Sequence, residues 1–293
     1  MKYLLTAIAA FLAVALTAQQ STSDRILYGE ITKDSLLKAP YNKWFSKGFA
    51  EYNTNTATKN KLLTAPVKEI SIEIFFGTWC GDSKREVPRF LKMLEEIKFN
   101  MANTKLICVG GSDSLYKQSP QGEEKGKGIF RVPVFIVYKN GVEINRINEY
   151  PAFSLEKDFL SILNGATYSP NYKSFTTMRQ WLNDGTLIDS NITPRGLAQT
   201  LKPLISNEYE LNSLGYVLLK QNLKQEALAV FRINANLYPE SGNVLSSLGE
   251  GYLKTGNAEK AVTVLENSLA FAKDPVMIKQ ILQLLYEAKG IKQ

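Results

Sequence analysis

Histidine is absent from the 293-residue chain, and cysteine occurs only twice, as Cys80 and Cys108. The missing histidine excludes Ser-His-Asp and Cys-His catalytic groups and every histidine-ligated metal site. Two cysteines are too few for a four-thiolate zinc site or for a fold held together by several disulfides. The acidic residues form no cluster in the sequence that suits Mg²⁺ or Ca²⁺. We therefore expect no metal and no cofactor, and a fold that depends on hydrophobic packing.

The chain is moderately basic, with a net charge of +7. Its 35 lysines and arginines are distributed along the sequence among 28 acidic residues. They form no basic stripe with interleaved aromatic residues, which is the pattern of nucleic-acid-binding surfaces. We expect no nucleic-acid partner.

A short apolar run, rich in alanine and leucine, occupies residues 4–16. Lys2 precedes this run, and the small residues Thr17 and Ala18 follow it. This order is typical of a secretory signal peptide, which we assign to residues 1–18. The run is shorter than the roughly 20 residues of a membrane-spanning helix, and an uncleaved anchor is the alternative. We expect export without stable membrane insertion, to the periplasm in a Gram-negative host and otherwise to the medium or cell surface.

The following residues, 19–64, are interpreted as an N-terminal extension. Its segment 36–52 is dense in aromatic residues, which indicates packing against another part of the chain. The aromatic residues are Tyr41, Trp44, Phe45, Phe49 and Tyr52.

Residues 65–165 show the pattern of an α/β domain. The β-rich runs predict strands at 70–77, 105–110, 134–138 and 142–147, and apolar periodicity predicts helices at 83–99 and 154–164. The Asn140-Gly141 pair predicts a two-residue hairpin turn, and the Gly- and Lys-rich residues 111–127 predict a long loop. This order predicts a mixed sheet with helices on both faces.

A helical pattern with an internal period follows from residue 206 onward. Five pairs of positions lie 34 residues apart, namely Leu211 and Leu245, Leu214 and Leu248, Gly215 and Gly249, Ala227 and Ala261, and Phe231 and Leu265. The period and the residue types resemble the tetratricopeptide repeat, with two units over about 208–275 and a capping helix at 276–289. An unrelated pair of helical hairpins is the alternative. We interpret 206–293 as a helical-repeat domain that binds a protein partner, and 166–205 as a linker.

A cysteine lies at the start of the first predicted helix, in the motif Trp79-Cys80-Gly81-Asp82-Ser83 that leads into residues 83–99. Pro88 lies eight residues after Cys80, and Val132-Pro133 precedes the strand that leads to Asn140-Gly141. The motif and this spacing resemble the thioredoxin-like family, and the resemblance covers about residues 65–165. It implies a thioredoxin fold with a Cys-x-x-Ser variant of the active site.

The resemblance also implies roles for individual residues. Cys80 would attack a disulfide of a protein or peptide substrate, and Trp79 would flank it. If the bond before Pro133 is cis, the backbone of Val132 would pair with an extended substrate segment. Independently of the family, a helix start favours a thiolate, because its unpaired N–H groups and partial positive charge stabilise an anion.

Two departures from the family pattern bear on activity. Ser83 stands where a second cysteine usually releases the mixed disulfide, so release needs an outside thiol. The Ser83 hydroxyl is also a candidate hydrogen-bond donor to Cys80. Ile74 stands where the family often has a buried acid, and Glu73 is expected to point to the opposite face of the strand.

The charges that neighbour Cys80 in the sequence have opposing effects. Asp82 disfavours a thiolate by like-charge repulsion, whereas Lys84 and Arg85 favour it, and the sequence leaves the balance open. Cys108 lies in an apolar run and is interpreted as a small core residue.

Two functions therefore stay open, and so does the question whether the protein is an enzyme. The first is monothiol thiol–disulfide exchange of the isomerase or reductase type, through mixed disulfides of Cys80. The alternative is a redox-inactive binding module built from a thioredoxin fold and helical repeats. Sensing through oxidation of Cys80 to a sulfenic acid is a further possibility.

Overall fold

The computed structural model describes residues 25–111 and 115–290. These residues form a mixed five-stranded sheet with helices, followed by a run of packed helices. The strands are β1 (Gly29–Ile31), β2 (Ile70–Phe76), β3 (Thr104–Cys108), β4 (Val134–Lys139) and β5 (Val142–Asn148). The helices are α1 (Lys33–Leu36), α2 (Asn42–Glu51), α3 (Thr56–Leu62), α4 (Gly81–Glu96), α5 (Leu155–Leu163), α6 (Ser174–Asn183), α7 (Pro194–Leu201), α8 (Tyr209–Lys220), α9 (Lys224–Leu237), α10 (Gly242–Lys254), α11 (Ala258–Phe271) and α12 (Pro275–Ala288).

The signal peptide assigned to residues 1–18 lies outside the described residues. In the ranges that are described, no helix has the length and apolar character needed to span a bilayer.

The sheet has the strand order β1-β3-β2-β4-β5. The central strand β2 runs parallel to β3 and antiparallel to β4, so that Ile74 lies opposite both Leu106 and Phe135. The strands β4 and β5 form the predicted hairpin, whose turn residues Asn140 and Gly141 have φ values of 52° and 77°. Two positive φ values are what a tight turn between right-twisted strands requires. The predicted strands and hairpin of residues 65–165 are thus confirmed.

Helices cover one face of the sheet. The residues Ile70, Ile72 and Ile74 of β2 lie in one core cluster with apolar residues of α2, α4 and α5. Phe90 of α4 lies over the sheet with its ring centroid 4.4 Å from that of Phe135. This burial of the α4 apolar side explains why the periodicity of residues 83–99 predicts a helix.

The opposite face of the sheet differs from the prediction that helices cover both faces. Phe75 and Ile136 on this face pack with Ile129 and Val132, which belong to the segment 109–133. In its described part this segment contains no α-helix. Three of its glycines, Gly122, Gly126 and Gly128, have positive φ values, which an α-helix does not permit. The second face is therefore covered mainly by irregular chain.

The N-terminal extension is part of the sheet domain. Strand β1 pairs antiparallel with β3, and Phe45 of α2 is fully buried in the same core as β2 and α4. Tyr52 donates a 2.8 Å hydrogen bond to Glu156 of α5. The aromatic residues of segment 36–52 pack on the sheet domain, as the sequence indicates.

Residues 166–205, interpreted as a linker, contain the helices α6 and α7. Met178 of α6 and Leu201 of α7 are fully buried in one cluster with α8 and α9. Phe130 from the segment 109–133 belongs to the same cluster and meets Phe175 edge-on at 5.3 Å. The two halves of the chain therefore share a hydrophobic core at this place.

The helices α8 to α12 pack as successive neighbours. Two pairs of helices approach each other closely at a glycine, α8 and α9 at Gly215 and α10 and α11 at Gly249. A Cβ atom on Gly215 would lie 2.3 Å from Phe231, and one on Gly249 would lie 2.5 Å from Leu265. Both residues of the second pair lie 34 residues after those of the first. The periodic positions of the sequence are thus equivalent contacts in space.

Candidate functional site

Cys80 is the residue immediately before the first turn of α4. Its φ and ψ of −84° and 128° are extended, as is usual for a helix-capping position. The side chain is partly exposed, and its Sγ donates a 3.3 Å hydrogen bond to the carbonyl oxygen of Val132. The bond between Val132 and Pro133 is cis, as the family resemblance implies. The strand β2, helix α4 and the Val132-Pro133 turn thus meet at the sulfur.

Trp79 forms a wall beside this sulfur. Its Nε1 donates a 3.0 Å hydrogen bond to the carbonyl oxygen of Val109. The indole lies against Gly77 and Gly111, where a Cβ atom would come within 2.4 Å and 2.7 Å of it. The ring centroid of Tyr116 lies 6.4 Å from that of Trp79. The small residues at 77 and 111 make room for the indole.

Ser83 occupies a different environment from Cys80. Its side chain is fully buried, and its Oγ accepts a 3.2 Å hydrogen bond from the N–H of Gly77. This bond ties the end of β2 to the first turn of α4. The Cys80 sulfur donates its hydrogen bond to the carbonyl oxygen of Val132, so the candidate bond between Ser83 and Cys80 is not the arrangement observed.

The acidic residues near the motif have partners of their own. Asp82 forms an ion pair with Arg85 at 2.7 Å, which compensates its charge locally. Ile74 is fully buried in the helix-covered core, whereas Glu73 accepts a 2.8 Å hydrogen bond from the hydroxyl of Tyr138. Adjacent strand residues point to opposite faces, so the placement of Glu73 agrees with the sequence prediction.

Lys117 is a charged residue of the site that the sequence did not indicate. Its side chain is only 4% exposed, and its Nζ donates a 2.7 Å hydrogen bond to the carbonyl oxygen of Phe130. Burial lowers the pKa of Lys117 to about 8, and the neighbouring Arg131 acts in the same direction. The charges of Glu149 and Cys80 favour the protonated amine. A lysine in a Gly- and Lys-rich loop carries no local signal of burial, which is why sequence reasoning missed it.

A groove with a volume of about 550 Å³ lies next to Trp79. Its lining residues come from the segment 109–133 and from helix α8. They are Gly111, Tyr116, Arg131, Tyr209, Asn212, Ser213, Tyr216 and Lys220. We call this feature the α8 groove. Sequence reasoning could not find it, because it forms only when α8 packs beside the sheet domain.

Arg131 joins the two walls of the α8 groove. Its Nη2 donates a 3.3 Å hydrogen bond to the carbonyl oxygen of Tyr209, and its Nη1 lies 3.4 Å from a carboxylate oxygen of Glu149. The guanidinium also lies over the ring of Tyr172, at 5.3 Å from the centroid. Because Arg131 directly precedes Val132, the same backbone segment contacts both α8 and the sulfur of Cys80.

Cys108 is a core residue, as expected from its apolar context. It is fully buried on β3, and burial raises the pKa of its thiol to about 12. Both cysteines are free thiols. Across the described ranges, no group of three or more Cys, Asp or Glu side chains is arranged to hold a metal ion.

The structure thus brings together Trp79, Cys80, Val132 and Pro133, and it places Ser83 beneath them in the first turn of α4. No protein-family model, no curated protein and no solved structure matches this chain. The chemistry of the site therefore has to be argued from its own residues.

Proposed function

We propose that this chain is an exported thioredoxin-like protein that carries out monothiol thiol–disulfide exchange through Cys80. The observation that carries the proposal is the placement of the Cys80 sulfur. It is partly exposed at the start of α4 and lies 3.3 Å from the carbonyl oxygen that precedes the cis Pro133. The strand β2, helix α4 and hairpin β4–β5 surround it in the order that the thioredoxin-like motif implies. The substrates are proteins or peptides that contain disulfides or thiols.

The chemistry has two balanced steps. In the first, the Cys80 thiolate attacks one sulfur of a disulfide R–S–S–R′, a bond forms between Cys80 and the sulfur of R, and R′–S⁻ leaves with the electron pair of the broken bond. In the second, an external thiolate attacks the sulfur of R, and the Cys80 thiolate leaves. The external thiol is either a second cysteine of the substrate or a small-molecule thiol, because Ser83 has no thiol to offer.

The proposal is tested with the small neutral disulfide 2,2′-dithiodipyridine. We expect the folded protein to form one mixed disulfide with release of thiopyridone, and peptide mapping by mass spectrometry to locate it at Cys80. A small thiol added afterwards should restore the free cysteine. Cys108 should stay unlabelled, because it is buried and burial raises its pKa to about 12.

The control is Cys80→Ser, which should remain unlabelled under the same conditions. If folded wild-type protein resists the disulfide while the chain unfolded in guanidinium is labelled at Cys80, the exchange function is wrong. A redox-inactive binding module would then be the better description. The observation in favour of that second candidate is the fully buried Ser83, whose hydroxyl is engaged by the backbone of Gly77.

We further infer that α8 to α12 are two tetratricopeptide-like units with a capping helix, which offer a surface to a protein partner. The support is the repetition of the contacts at Gly215 and Gly249 after 34 residues. Export is inferred from the sequence of residues 1–18 alone. An exported protein of this kind acts in the periplasm of a Gram-negative host, or otherwise in the medium or at the cell surface.

A further inference from the structure

The α8 groove lies within reach of a chain that reacts at Cys80. Gly111 at one end of the groove is in close approach to Trp79, and the ring of Tyr116 lies 6.4 Å from the indole. Arg131, in the groove wall, is the neighbour of Val132, which contacts the sulfur. A substrate segment that flanks its reacting cysteine can therefore enter the groove.

Two polar atoms of the groove walls are buried without a hydrogen-bond partner among the described residues. They are the Oδ1 of Asn212, an acceptor, and the Nε of Arg131, a donor. Asn212 is 8% exposed, and both it and Arg131 line the α8 groove. Buried polar groups in folded proteins are nearly always paired, so these two atoms call for a ligand or for water. A peptide unit supplies both an N–H for the acceptor and a C=O for the donor.

The remaining lining of the α8 groove is suited to side chains of a peptide. Tyr209 is 60% exposed, and the hydroxyl of Tyr216 lies 3.0 Å from a carboxylate oxygen of Glu250 and 3.2 Å from the hydroxyl of Ser247, which holds the ring. Tyrosines give large and rigid contact area at a small cost in conformational entropy, which makes them frequent in peptide-binding surfaces.

The described residues that line the α8 groove carry charge of one sign. Of the described residues that line it, Arg131 and Lys220 are the charged ones, and both are positive. Arg131 is partly compensated by Glu149 at 3.4 Å. Lys220 is exposed at the C-terminal end of α8, so its ammonium group is available to a ligand. An acidic side chain is the complement of this arrangement.

We infer that the α8 groove binds the peptide segment next to the reacting cysteine of a protein substrate, and that it selects segments with an acidic residue. The inference rests on the proposed exchange at Cys80. The backbone of the segment pairs with Asn212 and Arg131, and its acidic side chain lies near Lys220. The helices after residue 205 then form the second wall of the substrate site.

The test uses two peptides that differ only in having glutamate or lysine two to four residues from a cysteine activated as a thiopyridyl mixed disulfide. The Cys80 thiolate attacks the peptide sulfur, and thiopyridone leaves, so absorbance gives the rate directly. We expect wild-type protein to react about fivefold faster with the glutamate peptide at low ionic strength, because charges at a binding rim act mainly on the association rate. Lys220→Glu should abolish or reverse this preference.

The matched control is Lys279→Glu, an equal change of charge at an exposed position of α12. It should keep the preference for glutamate. Tyr209→Ala should slow the reaction with both peptides. The rate with 2,2′-dithiodipyridine, which is too small to fill the groove, reports the reactivity of Cys80 itself and should be the same in wild-type protein and in Lys279→Glu.

The possible failures are distinguishable. If the small disulfide reacts at Cys80 but wild-type protein treats both peptides alike, the inference about the groove is overturned and the exchange function stands. The same holds if Lys220→Glu and Lys279→Glu have equal effects. If the small disulfide itself does not react at Cys80, the exchange function is overturned and the groove inference with it.

Discussion

Lys117 combines a positive charge with nearly complete burial beside the Cys80 site. Its ammonium group is held by the carbonyl oxygen of Phe130 and lies 4.7 Å from the ring centroid of Tyr116. Burial disfavours the charged form, so the proton is released more readily in the folded chain than in the unfolded chain. The position is therefore a source of pH dependence in the stability of the protein.

We predict that the stability contribution of Lys117 rises with pH. The unfolded chain holds this proton up to its ordinary pKa of 10.5, whereas the folded chain releases it near pH 8. Between these values unfolding takes up a proton, so the free energy of unfolding increases with pH. Relative to Lys117→Met, wild-type protein should gain about 2.5 kcal/mol between about pH 7 and about pH 10. Denaturant unfolding of both proteins across this range measures the difference.

The comparison of two proteins removes the contribution of the other titrating groups. The variant also loses the hydrogen bond from Nζ to Phe130. That loss shifts the difference in stability by a constant amount, because it is not itself a titration. A difference that is the same at every pH would show that Lys117 keeps its proton in the folded chain.

At the residue scale the sequence predicts where Cys80 lies but not the electrostatic surroundings of its sulfur. Cys80, Trp79 and Pro133 could be predicted, because their spacing is a local property of strand, turn and helix. The roles of Ser83 and Lys117 could not, because each depends on a partner that is remote in sequence or on the detailed geometry of a turn. The Gly77 backbone and the Phe130 carbonyl are these partners.

Among the elements, the paired helices α8–α9 and α10–α11 depend on glycine at one position each. A side chain on Gly215 would collide with the fully buried ring of Phe231, and one on Gly249 would collide with Leu265. The aromatic ring cannot turn away as freely as the branched aliphatic side chain. The two positions therefore differ in how well they tolerate a methyl group.

We predict that Gly215→Ala and Gly249→Ala both destabilise the protein. Overpacking of a core costs about 1–3 kcal/mol, and the better helix propensity of alanine returns up to about 1 kcal/mol. The net loss should be about 1–2 kcal/mol at Gly215 and smaller at Gly249. Thermal or denaturant unfolding measures both.

The control for these variants is Gly196→Ala in α7. Gly196 is exposed, and the nearest atom to an added Cβ is the Thr193 Oγ1 at 3.3 Å. We expect this variant to be as stable as wild-type protein or slightly more stable. Equal destabilisation at all three positions would contradict the packing explanation and indicate a general effect of the backbone.

Element boundaries in residues 65–165 could be predicted because alternation and helical periodicity are strong there. Strand β2 and helix α4 each bury one well-defined side against the same core. The covering of the second sheet face could not be predicted, since irregular chain has no period. The helices of 166–205 could not be predicted from composition, because that segment is polar on average, although seven of its residues, among them Met178 and Leu201, are buried in the core.

At the scale of the whole molecule, Phe130 connects the sheet domain to the helices α6 to α9. This residue is 3% exposed and packs with α6 to α9, although it belongs to the segment that covers the sheet. The neighbouring Ile129 and Val132 pack on the sheet itself. A single stretch of chain thus contributes to two hydrophobic cores.

We predict that Phe130→Ala destabilises both halves of the chain. Truncation of a buried phenylalanine costs about 3–5 kcal/mol, and the shared segment transmits the loss to the sheet. Hydrogen exchange measured by mass spectrometry should show faster exchange in α4 and in α9. The control Phe153→Ala changes a side chain that is 80% exposed, and it should alter stability by less than about 0.5 kcal/mol. Faster exchange in only one half would show that the halves unfold independently.

The described part of segment 109–133 is irregular, which bears on how the surroundings of Cys80 can change. The strand β2 and helix α4 fix the sulfur, and their residues are constrained by the periodicity of a buried core. Tyr116, Lys117 and Arg131 lie on a segment without that constraint, and they determine the charge and shape around the sulfur. Loops accept substitution and insertion more readily than core elements do. Under the proposed function, substitutions in this segment can therefore change which substrates bind while β2 and α4 keep the sulfur in place.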